Sequence, residues 1–225
     1  MSSPLELVVA RHNEDLSWLR RVPSQFLVTV YDKGREGSGP HHLPNIGREA
    51  HTYLHHIAER YDHLAGLTVF VQGHPFDHAP DLHDRLRALA EGRESVNDFH
   101  WLGFLADTDD SRGRRLFVPW SKNPERNELR MDEFHQALFA QNGPAVYRFF
   151  AGAQFAVTRD CIHCRGADFY RNAREVAAHF PLAPHCFERS WDRVFARDGT
   201  AGRLPAGQLT AYFKPIKRLV GQKPG

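Results

Sequence analysis

The chain has 225 residues, 41% hydrophobic and 25% charged, with a formal net charge of +2. Those values suit one globular domain, residues 1–213, followed by a short tail, and they exclude a disordered chain and a strongly basic nucleic-acid binder. Three cysteines (Cys161, Cys164, Cys186) make no disulfide framework, no apolar run nears the roughly 20 residues of a membrane span, and no signal peptide is visible, so a cytoplasmic protein is expected.

Residues 5–10 are apolar at nearly every position, which predicts a strand covered on both faces. A polar cluster, Arg11 to Asp15, follows at its carboxyl end. A second strand is expected over 26–31, ending at Asp32, and the glycine-rich stretch 35–42 reads as a mobile loop. Residues 44–47 then open a helix whose apolar stripe is Ala50, Tyr53, Leu54, Ile57, Ala58 and Tyr61. A third strand spans 67–71, and the polar run 72–78 lies at its end.

Further on, Asp81 is placed to cap a helix carrying Leu82, Leu86 and Leu89. Residues 100–105 read as a strand, 107–115 as a charged loop, 116–120 as a short apolar piece and 131–141 as a helix. A strand over 152–158, a helix over 167–180 and a further helix with Phe187, Trp191, Val194 and Phe195 complete the domain. The tail 214–225 holds Lys214, Lys217, Arg218 and Lys223 and no acid, and is expected to be weakly ordered.

Strands alternating with helices argue for an α/β domain with a mixed, mainly parallel sheet. Ligands of such sheets sit beyond the carboxyl ends of the strands. The clusters at 11–15, 32–34 and 72–78 should therefore meet in one crevice.

The order of these pieces resembles the nucleotide-sugar-dependent glycosyltransferases of the GT-A type, which are Rossmann-like. The likeness rests on the strand end Arg11-His12-Asn13-Glu14, on Asp32 closing the second strand, on Asn45-Ile46-Gly47 leading a helix, and on Glu188-Arg189 late in the chain. A closer resemblance, over roughly residues 5 to 197, is to an uncharacterised bacterial and fungal family. It shares the Arg-x-Asn-Glu start, an Asn-x-Gly-Arg-Glu segment and a Gln-Gly-x-Pro strand end. The GT-A likeness implies a nucleotide-sugar donor and a hydroxyl acceptor as ligands. It implies that Arg11, Asn13, Glu14, Asp32, Asn45, Gly47, Arg48 and Gln72 hold the nucleotide, with Glu188 as general base. The chain departs from the type where Gln72-Gly73-His74 stands in place of the Asp-x-Asp that holds a divalent cation.

Each cluster also has a plainer reading. Arg11 to Asp15 and Asn45 to Glu49 serve equally as turns that cap helices. His74, Asp77 and His78 could bind a transition metal with one ligand from elsewhere, or pass protons, with Asp77 and His78 then catalytic; equally they are exposed residues of a turn around Pro75. The Cys161-x-x-Cys164 pair with His185-Cys186 lacks the paired second half of a zinc site. His51 and His55 lack the adjacent glutamate of a His-Glu-x-x-His site. A metal-dependent hydrolase and a non-catalytic nucleotide-binding module therefore stand beside the transferase as alternatives, with oligomeric state left open.

Overall fold

The computed structural model describes residues 4–34, 39–121, 127–200, 203–204 and 207–213. Residues 35–38 of the glycine-rich stretch and the basic tail 214–225 lie outside the described residues. The strands are β1 (Leu5–Arg11), β2 (Phe26–Asp32), β3 (Leu67–Gln72), β4 (Phe99–Trp101), β5 (Leu105–Asp110), β6 (Val146–Phe150), β7 (Phe155–Thr158) and β8 (Thr210–Tyr212). The helices are α1 (Arg48–Arg60), α2 (Leu82–Ala90), α3 (Phe117–Trp120), α4 (Met131–Phe139), α5 (Arg159–Ile162), α6 (Ala167–His179), α7 (Ala183–Glu188) and α8 (Trp191–Val194). Single 3-10 turns lie at Ser17–Arg21, Tyr61–His63 and Pro75–Asp77.

Five strands form a mixed sheet in the order β2-β1-β3-β7-β4, and three more form an antiparallel sheet, β6-β5-β8. β1 pairs in parallel with β2 and β3, whereas β7 runs against both β3 and β4. The parallel expectation thus holds for the first three strands, and the sheet as a whole is mixed. Leu7, Val9, Val69 and Val71 pack with Leu82 and Leu86 of α2 on one face. Val8, Ala10 and Phe70 pack with Tyr53 and Ile57 of α1 and Ala173 and Ala177 of α6 on the other. Helices on both faces explain why β1 and β3 lack the polar alternation of a half-exposed strand. Tyr53, Phe155, Trp191 and Phe195 centre the larger core, with Phe155 and Trp191 ring centroids 5.0 Å apart. Pairs of this kind contribute about 0.5–1.5 kcal/mol beyond their buried area.

Several sequence expectations change between residues 99 and 150. The strand expected over 100–105 is two: β4 stops at Trp101, and β5 starts at Leu105. The expected charged loop 107–115 begins inside β5, where Asp107 and Asp109 are buried. Aspartate is depleted in strands because an unpaired buried carboxylate is costly. Here Asp109 accepts from Arg189 Nε and Nη2 at 3.0 and 2.7 Å, and Asp107 pairs with Arg115. No strand was expected over 146–150, although β6 alternates as a half-exposed strand does, with Val146 and Arg148 exposed and Tyr147, Phe149 and Phe150 buried. The helix expected over 131–141 ends at Phe139, with Ala140 in the left-handed region at φ 53°. The last helix breaks into α7 and α8 at Ser190. All three cysteines are free; the Sγ atoms of Cys161 and Cys164 share the Phe195 carbonyl at 3.7 and 3.4 Å. No helix among the described residues is long and apolar enough to cross a membrane.

Candidate functional site

Because β2, β1 and β3 run in one direction, their carboxyl ends share one lip, and α1 starts beside it. A cavity of about 420 Å³ opens there, lined by Arg11 and His12 at the end of β1, Lys33 just after β2, Gln72 and His74 at the end of β3, and Arg48 at the start of α1. A second cavity of about 290 Å³ adjoins it, with Glu188, His185 and Asp107 set among Phe117, Trp120 and Phe149. Arg48, Glu49 and Gln72 line both, so the two are compartments of one crevice.

The start of α1 is built by an unusual backbone. Gly47 and Arg48 both take positive φ, 58° and 46°. A Cβ on Gly47 would overlap the Ala177 carbonyl oxygen of α6, so glycine alone allows the helices this approach. Arg48 carries the rarer conformation without that freedom, and non-glycine residues held there cost roughly 1–3 kcal/mol. Lys33 offsets part of this cost: its Nζ donates to the carbonyls of Ile46 and Arg48, each at 2.6 Å. The Arg48 side chain is left 64% exposed at the junction of the two cavities.

The residues singled out in the sequence fall into three groups. Arg11, Glu14, Asn45, Arg48, Gln72 and His74 line the first cavity, and Glu188 and His78 the second. Asn13 and Asp32 do not line it but hold its rim. Asp32 pairs with Arg11 and accepts from Gly34 N–H at 2.8 Å, and Asn13 Nδ2 is 3.1 Å from His12 Nδ1. Asp77 is outside altogether, with an 81% exposed side chain 4.0 Å from His74. His74, Asp77 and His78 do not converge: His78 packs against Gly152 by the second cavity. Among the described residues, no three His, Cys, Asp or Glu side chains are arranged to hold a metal ion.

The electrostatics differ along the crevice. Glu14 accepts from the His12 and Asn13 N–H groups at 2.6 and 3.2 Å; burial pushes its pKa up, but these bonds outweigh that and hold it below the usual value. Burial pushes Lys33 down to about 8, against the raising influence of Glu49. Glu49 is pushed up, first by burial and further by the Glu188 charge, although Arg48 opposes this. His185 is lowered to about 4 by burial, with Glu188 acting the other way. Glu188 Oε1 accepts from Gly152 N–H at 2.7 Å, and its Oε2 lies 3.6 Å from Arg189 Nη1. Arg189 is thus shared between Glu188 and Asp109. Asp192, one turn after Glu188, is turned away instead: it accepts from Gly199 N–H at 3.1 Å, and burial raises it to about 6.

His12 and Lys33 belong to the clusters 11–15 and 32–34 expected at the crevice, though neither was given a role of its own, whereas Glu49 and His185 were not expected to line it. Glu49 was findable. It stands four positions before Tyr53, so it prolongs the buried stripe of α1 with a carboxylate. His185 carried no such signal, since only tertiary packing turns it inward.

No curated protein and no solved structure matches the chain. Residues 7–204 match a family described as "Protein of unknown function (DUF3431)", and with nearly the whole described domain covered, the chain belongs to that family.

Proposed function

We propose that the protein is a glycosyltransferase of GT-A-like construction, passing a sugar from a nucleotide-sugar donor to a hydroxyl acceptor without an Asp-x-Asp metal site. The observation that carries this reading is the two-compartment crevice whose cavities share Arg48, Glu49 and Gln72. The four strands β2, β1, β3 and β4 share a direction with β7 inverted, between helical layers, which supports the same construction.

In this reading the first cavity takes the nucleoside diphosphate. Arg48 and Lys33 meet the diphosphate, Arg48 as a permanently charged fork and Lys33 as a buried point charge. The acceptor occupies the second cavity, and its hydroxyl gives its proton to Glu188. The oxygen then attacks the anomeric carbon, and the bond to the diphosphate breaks, with the leaving charge resting on the two cations. A carboxylate base of this kind contributes about 10²–10⁴-fold. His74, Asp77 and His78 do not form a ligand set, so no step runs through a metal.

A second reading has one observation in its favour. Glu188 is already engaged by Gly152 N–H and Arg189, which suits a structural carboxylate and a binding module without turnover. Thermal unfolding with UDP-, GDP-, CDP- and dTDP-sugars tests both. A ligand at a hundred times its Kd stabilises by about 2.7 kcal/mol. At least one donor should raise Tm and, with a panel of hydroxyl acceptors, release its nucleoside diphosphate. Stabilisation without release selects the binding module, and no stabilisation by any donor removes both readings.

A further inference from the structure

A third cavity, of about 270 Å³, lies between the end of α4, the turn at 141–144, and Arg165 and Arg193. It shares no lining residue with the crevice. Arg165 is fixed in place: Nε and Nη2 donate to the carbonyls of Val194 and Arg193 at 2.8 and 3.1 Å, and the guanidinium lies 4.3 Å from the Phe169 ring centroid. Its Nη1 has no hydrogen bond among the described residues. The Arg193 guanidinium has neither a hydrogen bond nor an ion pair among them, and no acid lines the cavity.

The wall carries a second anomaly. His135 lines the cavity at 3% exposure, and neither ring nitrogen has a hydrogen-bond partner among the described residues. The Tyr147 hydroxyl, also buried, is unpartnered too. Gly143 covers both: a Cβ there would overlap Tyr147 Oη and stand 3.0 Å from His135 Cγ. Burial, and then the Arg193 charge, lowers His135 to about 4, while Asp132 on α4 pulls the other way. The ring is therefore neutral near pH 7, with one donor and one acceptor. Buried polar groups nearly always find partners. The two orphaned His135 nitrogens in this wall, beside two guanidiniums with unused donors, describe a polar site, and the guanidiniums make an anion its complement.

We propose that this cavity binds the oxyanion of a small molecule, a phosphate or carboxylate group held by Arg193 and Arg165. A guanidinium with free donors matches the geometry of either anion. The volume exceeds that of a bare ion, because a water's share of the liquid is about 30 Å³. An organic remainder fits beside Phe139 and the amides of Gln141 and Asn142.

Hydrogen exchange of the full chain, titrated with inorganic phosphate or with acetate at constant ionic strength, tests the site and separates the two sources. Phosphate, acetate or both should slow exchange over 139–144 and 191–195. Arg193→Gln should weaken the effective anion about tenfold, whereas Arg48→Gln in the crevice should leave this footprint unchanged. Asn142→Asp, at an exposed position, sets a carboxylate at the mouth and should abolish the footprint; it serves alone if Arg193→Gln does not fold. Slowing nowhere in these segments with either anion, or a footprint untouched by Arg193→Gln or by Asn142→Asp, overturns the proposal.

Discussion

The two walls of the crevice were built in different ways. On one, Arg11, Lys33 and Gln72 stand at or just after the ends of β1, β2 and β3. Parallel strands all finish at the same edge, so chain direction alone brings these polar residues together. On the other, Glu188, His185, Asp107 and Phe149 come from α7, β5 and β6, and are held by the buried Asp109–Arg189 pair. That wall exists because one ion pair ties an antiparallel strand to the end of the helix carrying Glu188. The first wall should therefore tolerate substitution as a fold and fail as a binding surface, and the second should fail first as structure.

The sharpest way to break that contrast is Asp109→Ala. Arg189 would keep its charge in the core without its main partner, costing about 3–5 kcal/mol, read as a shift in the urea midpoint. A loss below about 1 kcal/mol would show that the second wall does not depend on the pair. Next comes Glu188→Gln, which can still accept from Gly152 N–H. Turnover should fall at least about a hundredfold with Tm little changed; retained turnover would strip Glu188 of its role as base. Arg48→Gln should weaken nucleoside diphosphate binding about tenfold or more by calorimetry, with stability unaltered because the side chain is exposed.

A smaller effect follows from Lys33, whose pKa is lowered by burial to about 8 from its ordinary 10.5. Below pH 8 the amine is charged, so on the proposed function diphosphate affinity should decline as pH rises through about 8, and Lys33→Met should lack that step. Stability moves the opposite way: burying the charged amine costs stability below pH 8, a cost relieved between about 8 and 10.5. The smallest expected effect is that of chelation. EDTA should leave turnover within about twofold, since the described residues provide no set of ligands that a metal-assisted step would need. A tenfold loss, restored by a divalent cation, would reinstate a metal at this lip.

Legibility in the chain follows the same division. The burial of β1 and β3 on both faces, the apolar stripe of α1 and the polar strand ends could all be read directly. Asp32 illustrates the limit, because a strand-ending acid is visible in the sequence, but its pairing with Arg11 instead of the cavity is not. His74, Asp77 and His78 show the converse. Three potential ligands within five residues look like a site, yet the turn at Pro75–Asp77 spreads them over two cavities and open solvent.

By itself the sequence determined the local elements from β1 to α2, the layered α/β plan and one polar edge, because hydrophobic period and strand direction are short-range properties. Tertiary structure alone decided the inversion of β7, the conversion of an aspartate-rich stretch into β5, the inward turn of His185, and the partner of each buried charge. Those outcomes depend on which distant group compensates a desolvated carboxylate or amine, and that compensation is a property of three-dimensional proximity.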